Sequence, residues 1–225
     1  MRACVAAACL LVACGSTAPL PDWKMNAKGS LERATEAYLS GNERIEAVEF
    51  ARARAEIART GRAELLARAE LTRCAARVAS LVFDDCPGFA ALAQDAPAAE
   101  RAYADYLIGR GTPQNAALLP PAQRDVAAGK GSAAALAGIA DPLSRLVAAG
   151  VLFRTGQAEP ALLALAAETA SNQGWRRPLL AWLNLQLKRA EAGGDATQAA
   201  RLRRRIELIM GNTVGGRAAT ELKHD

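Results

Sequence analysis

The segment "RAELLARAELTRCAARVASLVF", residues 62–83, decides the fold because it carries two apolar stripes at helical spacing. Both stripes advance by alternating steps of three and four residues; the first contains Leu65, Ala69, Thr72, Ala76, Ala79 and Phe83, and the second contains Leu71, Ala75, Val78 and Val82. A helix that covers a single core needs only one such stripe. Two stripes predict a helix over 62–83 that packs on both sides, as in a stacked array of helices.

The composition of the chain also favours packed helices. Its 225 residues are enough for one domain or for two small ones with a buried core. Alanine is abundant, whereas aromatic residues make up 4% of the chain. A sheet protein would need more Val, Ile, Thr and aromatic side chains. The sequence therefore predicts an all-α fold.

Glycine and proline separate further helical segments. Asp141-Pro142 is typical of an N-cap followed by proline in the first helical turn, and Gly156 and Gly174 lie where helices should end. The predicted helices cover roughly 24–40, 43–60, 62–83, 97–109, 121–128, 132–138, 141–155, 158–172, 177–192 and 195–210.

The many arginines of residues 52–77 are interleaved with acidic residues, namely Glu46, Glu49, Glu56, Glu64 and Glu70. Alternating charges of both signs are typical of a solvated helical face. We therefore expect these side chains to lie in water and not to form an anion site.

Three segments share one pattern: a helix end, a turn of glycine and polar residues, and a second helix with small or apolar residues. They are "YLSGNERIEAVEFARARAEIARTGR", "LFRTGQAEPALLALAAETASNQGWR" and "EAGGDATQAARLRRRIELIMGN". Small residues let two antiparallel helices approach closely, and glycine permits the tight turn. The pattern therefore indicates repeated helical hairpins.

On these residues the chain resembles tetratricopeptide-type repeats. The matching positions are Gly41, Ala47 and Phe50 in the first unit, Gly156, Leu162 and Leu165 in the second, and Gly194 and Ala200 in the third. The tryptophan and tyrosine of the first helix and the closing proline of that signature are missing. The resemblance covers about half of the chain and implies stacked antiparallel hairpins that present a groove.

The hairpins fall into an N-terminal helical half, residues 24–109, and a C-terminal helical half, residues 141–210. Residues 110–140 between them are rich in Gly, Ala and Pro, and they form either a hinge or an irregular layer of short helices. The sequence leaves both open. Residues 211–225 are predicted to be a disordered tail.

The N-terminus carries a short apolar leader. Between Arg2 and Cys14 lies "ACVAAACLLVA", which has the length of a signal-peptide core and is shorter than the ~20 residues of a membrane span. Leu11-Val12-Ala13-Cys14 resembles a bacterial lipobox. The resemblance implies that residues 1–13 are a signal peptide, that Cys14 is acylated, and that residues 14–23 are a tether. Cleavage before Cys9 fits less well, because leucine is missing at position −3.

Acylation by two or more chains would hold the protein stably on a membrane. By the same resemblance, Gly15 in place of aspartate implies the periplasmic face of the outer membrane. The formal charge of +5 becomes +4 without the leader, because Arg2 is its only charge. This mild bias fits anionic lipid or an acidic partner, and it gives no basis for nucleic-acid binding.

Cys74 and Cys86 remain as a pair in the mature chain. Cys74 lies on an apolar stripe, where a buried free thiol is the alternative, and Cys86 lies in "FDDCPGF", a turn after the helix. An oxidising compartment favours a disulfide between them. It would close a loop of about 12 residues and contribute roughly 3 kcal/mol.

Residues that carry catalytic chemistry are scarce. His224 is the only histidine, and it lies in the tail. The stretch "GKGS" at 129–132 lacks the first glycine of a phosphate-binding loop, and Asp84-Asp85 is expected to cap or be solvated. Peptidoglycan lyases with helical folds commonly carry a catalytic Glu-Ser pair, and this chain has none. We therefore expect no catalytic residue, no metal site and no cofactor.

Tryptophan and arginine remain as candidates for a binding surface, because both are enriched at binding hot spots. The stretch "GWRRP" makes Trp175, Arg176 and Arg177 a candidate partner-binding site, with a residue that packs on the turn as the alternative for Trp175. Trp23 is a further candidate, and Trp182 is expected in the core.

The sequence thus predicts a lipid-anchored periplasmic adaptor or scaffold that binds another envelope protein in assembly, secretion or cell-wall maintenance. Two alternatives stay open. A cell-wall enzyme or enzyme activator would bring carboxylates together in a pocket, and a structural subunit of an envelope complex would expose a large apolar face.

Overall fold

The computed structural model describes residues 21–221, with side chains described over 21–211. The predicted signal peptide, Cys14 and His224 lie outside these residues. Within them the structure has helices and no strand, so the all-α prediction is confirmed. The helices are α1 (Asp22–Ser40), α2 (Glu43–Ala58), α3 (Ala63–Ala79), α4 (Pro87–Ala90), α5 (Ala98–Leu107), α6 (Arg124–Ala127), α7 (Ala133–Ala137), α8 (Pro142–Arg154), α9 (Pro160–Asn172), α10 (Arg176–Ala192) and α11 (Ala196–Glu221).

Short turns join successive helices into antiparallel hairpins, as the resemblance implied. Between α1 and α2, Gly41 adopts a left-handed φ of 87°, and the Asn42 N–H donates to the Ala37 carbonyl at 2.7 Å. The Asn42 side chain then accepts from the Ile45 N–H, which caps α2. Similar short connections lead from α8 to α9, from α9 to α10 and from α10 to α11, and each pair is in contact.

Helix α3 lies at the centre of the molecule and packs on both sides. It contacts α1 and α2 on one side and α5 and α8 on the other. Its buried residues include Ala69, Ala76 and Ala79 of the first stripe and Leu71, Ala75 and Val78 of the second. Ala67, Glu70 and Cys74, which belong to neither stripe, are buried as well. The two-stripe pattern thus corresponds to burial against two sets of helices.

Helix α3 ends at Ala79, earlier than the predicted end at residue 83. Leu81 adopts a left-handed φ of 58°, and the Val82 N–H bonds back to the Arg77 carbonyl at 2.9 Å. This is the geometry in which helices commonly stop, and glycine usually occupies the left-handed position. Here a leucine occupies that position, so the sequence contains no glycine that would predict the end of the helix.

The two helical halves share one core. Helix α3 contacts α8, and α1 contacts α10, so apolar side chains from Tyr38 to Leu202 form a continuous cluster. The halves approach closely at Gly150 of α8, where a Cβ atom would lie 2.4 Å from the Val78 carbonyl oxygen. Glycine at this position lets α8 lie directly against α3.

The connection between the halves is the irregular layer of short helices. Its centre is Gln123, a buried side chain that accepts from the Tyr106 hydroxyl at 2.7 Å and donates to the Ser144 carbonyl at 3.0 Å. Leu119 and Leu136 are buried as well. These contacts attach the layer to α5 and α8. Of the two alternatives for residues 110–140, the structure therefore has the irregular layer of short helices and not the hinge.

Several elements differ from the sequence prediction. Helix α4 and the 3₁₀ turns Ala93–Asp95 and Pro113–Leu118 were not predicted. Helix α11 includes Gly211 and runs to Glu221, where a disordered tail was expected from residue 211. A glycine ends a helix when it adopts the left-handed conformation, and Gly211 lies within the helix instead. Among the described helices, none combines the length and apolarity that a bilayer span requires.

Candidate functional site

An apolar groove runs between α3, α5 and the start of the irregular layer. Its volume is about 440 Å³, which lies within the range of ligand-binding clefts. Three walls line it: Arg68, Leu71 and Thr72 from α3, Ala99, Glu100 and Tyr103 from α5, and Leu118, Leu119, Pro120, Pro121 and Arg124 from the irregular layer.

Helical spacing explains the first two walls. Arg68, Leu71 and Thr72 are at positions i, i+3 and i+4 of α3, so their side chains share one face. Ala99 and Tyr103 stand four residues apart on α5 in the same way. Each helix thereby presents a narrow strip to the groove and packs another face against the core.

The third wall follows from a short extended stretch with two prolines. Leu119 is buried and holds the chain to the core, while the side chain of Leu118 is 44% exposed. Pro120 and Pro121 restrict the backbone between this stretch and the 3₁₀ turn Pro121–Gln123. Buried Leu119 and the hydrogen bonds of Gln123 attach this stretch to the core at two points. Leu118 therefore lies on a rigid wall of the groove.

An ion pair joins two walls of the groove. The Arg68 Nε donates to Glu100 Oε1 at 3.0 Å, and Arg68 Nη2 donates to the same oxygen. Glu100 is buried, so this pair fixes the distance between α3 and α5.

Two polar groups at the groove remain available as donors. Arg124 uses its Nε to donate to the Leu119 carbonyl at 2.9 Å, and its exposed guanidinium has no acidic partner among the described residues. The Tyr103 hydroxyl, like any tyrosine of ordinary pKa, is protonated at neutral pH, and burial raises its pKa further. The groove thus offers apolar walls with a guanidinium and a hydroxyl at the side.

A second cavity, of about 260 Å³, lies beside the Cys74–Cys86 disulfide. The structure joins these two cysteines with a Cα–Cα distance of 5.4 Å. Asp84 lies close enough to complete a cluster of metal-ligand types, but the disulfide occupies both sulfur atoms. The arginines around the cavity are paired: Arg77 with Asp84 at 3.1 Å, Arg73 with Glu46 at 2.6 Å, and Arg54 with Glu70. This arrangement is an internal charge network and leaves little for a ligand.

The two carboxylates of Asp84 and Asp85 point to different partners. Asp84 accepts from Arg77 and from the Cys86 N–H, whereas Asp85 accepts from Arg154 at 3.1 Å. Both side chains therefore hold the turn that contains Cys86 in place.

The proposed partner site at residues 175–177 is engaged within the chain. Trp175 is buried, and its Nε1 donates to Glu36 Oε2 at 2.9 Å. Arg177 stacks on the Tyr38 ring at 4.4 Å, and its Nε donates to the Tyr38 carbonyl. The Arg176 guanidinium lies against Gly41. These contacts join α10 to the end of α1. They explain the positions of all three side chains by contacts within the chain, with no need of a binding partner.

The other two tryptophans also have places within the fold. Trp182 is fully buried, as predicted, and donates to the Ala79 carbonyl at 3.1 Å. Trp23 is half-buried in the first turn of α1.

The expectation of a solvated face around residues 52–77 is wrong for three glutamates. Glu46, Glu49 and Glu70 are buried, and arginines of neighbouring helices neutralise them. Opposite charges on two helices can indicate such a pair. The pair can be predicted from the sequence only when it is known which helices are neighbours. Glu56 and Glu64 pair with Arg59 and Arg62 nearer the surface.

No family model, no curated protein and no solved structure matches this chain. The functional argument therefore rests on the residues of the chain itself.

Proposed function

We propose that this chain is a lipid-anchored adaptor of the bacterial envelope that binds another envelope protein in the groove between α3, α5 and residues 118–124. The observation that carries the proposal is the apolar groove, with Leu118 exposed on a fixed wall. An exposed apolar side chain in a concave site favours binding, because covering it removes apolar surface from water.

The rigidity of the walls supports the proposal. The Arg68–Glu100 pair holds α3 to α5, and Gln123 bridges Tyr106 and Ser144. A partner that binds pre-organised walls does not pay for ordering them, which improves affinity for a given contact area.

The polar groups suit a segment of protein chain. The walls would cover an apolar side chain, and the Arg124 guanidinium and the Tyr103 hydroxyl would donate to carbonyl or carboxylate oxygens. Polar groups at the rim of an apolar site commonly fix the orientation of the bound segment. This combination favours a peptide-binding role.

The anchor is a separate part of the proposal. The lipobox-like Leu11-Val12-Ala13-Cys14 supports acylation of Cys14, with the tether leading into α1 and the protein on the periplasmic face of the outer membrane. Mass spectrometry of the membrane-extracted protein should detect an acylated peptide that begins at Cys14. A chain that keeps residues 1–13 would contradict the anchor.

Photo-crosslinking in cells tests the groove. A photoreactive residue at Leu118 should form an adduct with one envelope protein. The matched control is the same residue at Val48 of α2, which is 46% exposed against 44% for Leu118 and lies outside the groove. An adduct at Leu118 and none at Val48 would support the proposal. Adducts of the same pattern at both positions, or none at Leu118, would contradict it.

A further inference from the structure

Helix α11 carries two different faces. The inner face consists of Ala199, Leu202, Ile206 and Ile209, at steps of three, four and three residues. Ala199 and Leu202 are buried, and the two isoleucines pack against the main core. This face attaches α11 to α10 and leaves the opposite face toward solvent.

The outer face consists of Arg201, Arg204, Arg205 and Leu208, at positions i, i+3, i+4 and i+7. All four side chains are exposed, and Leu208 is 68% exposed. None of these three arginines has an acidic partner among the described residues. Arg203, on the flank of the helix, differs because it pairs with Glu191 at 2.5 Å.

Positive charge is concentrated around this face. Residues 188–211 contain six basic and three acidic residues, in a chain whose formal net charge is +5. One of the three acids, Asp195, accepts from the Gln198 N–H at 2.9 Å and caps α11. The local surplus therefore supplies more than half of the net charge of the chain.

We propose that the outer face of α11 binds the surface of an anionic phospholipid bilayer. Guanidinium groups form paired hydrogen bonds with phosphate oxygens, which suits a surface of lipid headgroups. Leu208 adds one apolar side chain to this face, which would insert between headgroups as apolar side chains of interfacial helices do. A purely electrostatic partner such as a nucleic acid would leave Leu208 in water.

The proposal goes beyond the groove and uses other residues. An acylated Cys14 would bring the membrane near, but contact between α11 and the bilayer does not require the anchor. The two can therefore fail separately.

Vesicle co-sedimentation of the full chain tests the proposal. A Cys14→Ser background removes acylation, and the vesicles are either pure phosphatidylcholine or phosphatidylcholine with an equal amount of phosphatidylglycerol. The leader with its Arg2 is present in every variant compared, so its contribution cancels when binding is compared between variants. We expect stronger binding to the anionic vesicles, and loss of the difference at about 0.5 M salt, where the Debye length is only about 4 Å.

Two triple variants of equal net charge locate the effect. Arg201→Gln, Arg204→Gln and Arg205→Gln together should weaken binding to anionic vesicles roughly 100-fold. The control variant combines Arg44→Gln, Arg110→Gln and Lys130→Gln, three exposed residues outside α11, and should change binding less than about threefold, because such charges act only through the distant field. Leu208→Asn should weaken binding several-fold and leave its salt dependence unchanged.

Three results would overturn the proposal. The first is equal binding to both kinds of vesicle, and the second is an equal loss of binding in the two triple variants. The third is vesicle binding that survives in the α11 triple variant although crosslinking of an acidic protein to this face is lost, because the face would then bind protein and not lipid. Circular dichroism checks that each variant is folded. A further variant, Ala99→Trp, fills the groove between α3 and α5 and should leave vesicle binding unaltered. A failure of the vesicle experiment is therefore distinguishable from a failure of the adaptor proposal.

Discussion

Helices α1–α5 and helices α8–α11 contribute to one apolar core but differ in their buried ion pairs. In the N-terminal group, four buried glutamates pair with arginines of a neighbouring helix: Glu46 with Arg73, Glu49 with Arg33, Glu70 with Arg54, and Glu100 with Arg68. In the C-terminal group the buried contacts are made by Leu, Val, Ala and Trp side chains. The Arg203–Glu191 pair of α10 and α11 is solvent-exposed.

The difference shows two ways to bring helices close. Small and branched apolar residues stabilise by removing surface from water. A buried ion pair adds little net stability compared with an apolar pair of the same volume, but removal of one partner leaves the other uncompensated. The N-terminal group thus depends on matched partners in addition to apolar packing, whereas the C-terminal group depends mainly on packing.

The largest expected effect is in the apolar group. Trp182→Ala removes a fully buried ring that lies edge-on to Phe153 and donates to Ala79. We expect a loss of about 3–5 kcal/mol in the free energy of unfolding, measured with urea. Leu208→Ala on the exposed face of α11 should change it by less than about 0.5 kcal/mol. Similar losses in both variants would contradict the packing assigned to the C-terminal group.

The disulfide adds a covalent link to the ion-paired group. Cys86→Ser opens the bridge between α3 and the turn before α4, and the loop-closure model predicts a loss of about 3 kcal/mol. Urea unfolding with and without reductant measures it. Reductant should destabilise the parent protein and leave Cys86→Ser unchanged; an equal response of both would refute the bridge.

The contact between α3 and α8 predicts that Gly→Ala changes have opposite effects on stability at different positions. Gly150→Ala forces a Cβ against the Val78 carbonyl and should destabilise by about 1–3 kcal/mol. Gly211→Ala in α11 meets no atom within 4 Å, so it should stabilise by about 0.5–1 kcal/mol. Thermal unfolding of the two variants decides the matter, and a stabilising Gly150→Ala would show that α8 does not lie directly against α3.

The smallest effect separates the two kinds of ion pair. A double-mutant cycle on Glu46 and Arg73 should give a coupling of about 1–2 kcal/mol, because the carboxylate is buried and accepts two hydrogen bonds. The same cycle on Glu191 and Arg203 should give less than about 0.5 kcal/mol, since both side chains are exposed. Equal couplings would remove the distinction between the groups.

The sequence predicts what depends on one helix at a time. The two stripes of residues 62–83 give the two-sided packing of α3, and the glycine turns give the hairpins. The pair Cys74 and Cys86 also follows, because the two residues are near in sequence. In each case the signal is local.

What the sequence misses depends on contacts between distant segments. The burial of Glu46 requires Arg73 from another helix, and Arg177 finds Tyr38 across 139 positions. The groove belongs to this class, since Leu118 forms a wall only because Gln123 reaches both Tyr106 and Ser144. The periodicity of apolar residues carries no information on such partners.

The groove itself can be closed with one side chain. Ala99 lines it, whereas the neighbouring Ala98 is exposed outside it, so tryptophan at these positions gives a matched pair of variants. The measurement is the yield of the adduct formed from a photoreactive residue at position 118. Ala99→Trp should lower the yield at least about tenfold, as expected for loss of a binding hot spot, and Ala98→Trp should leave it unchanged. Equal yields in the two variants would contradict binding in the groove.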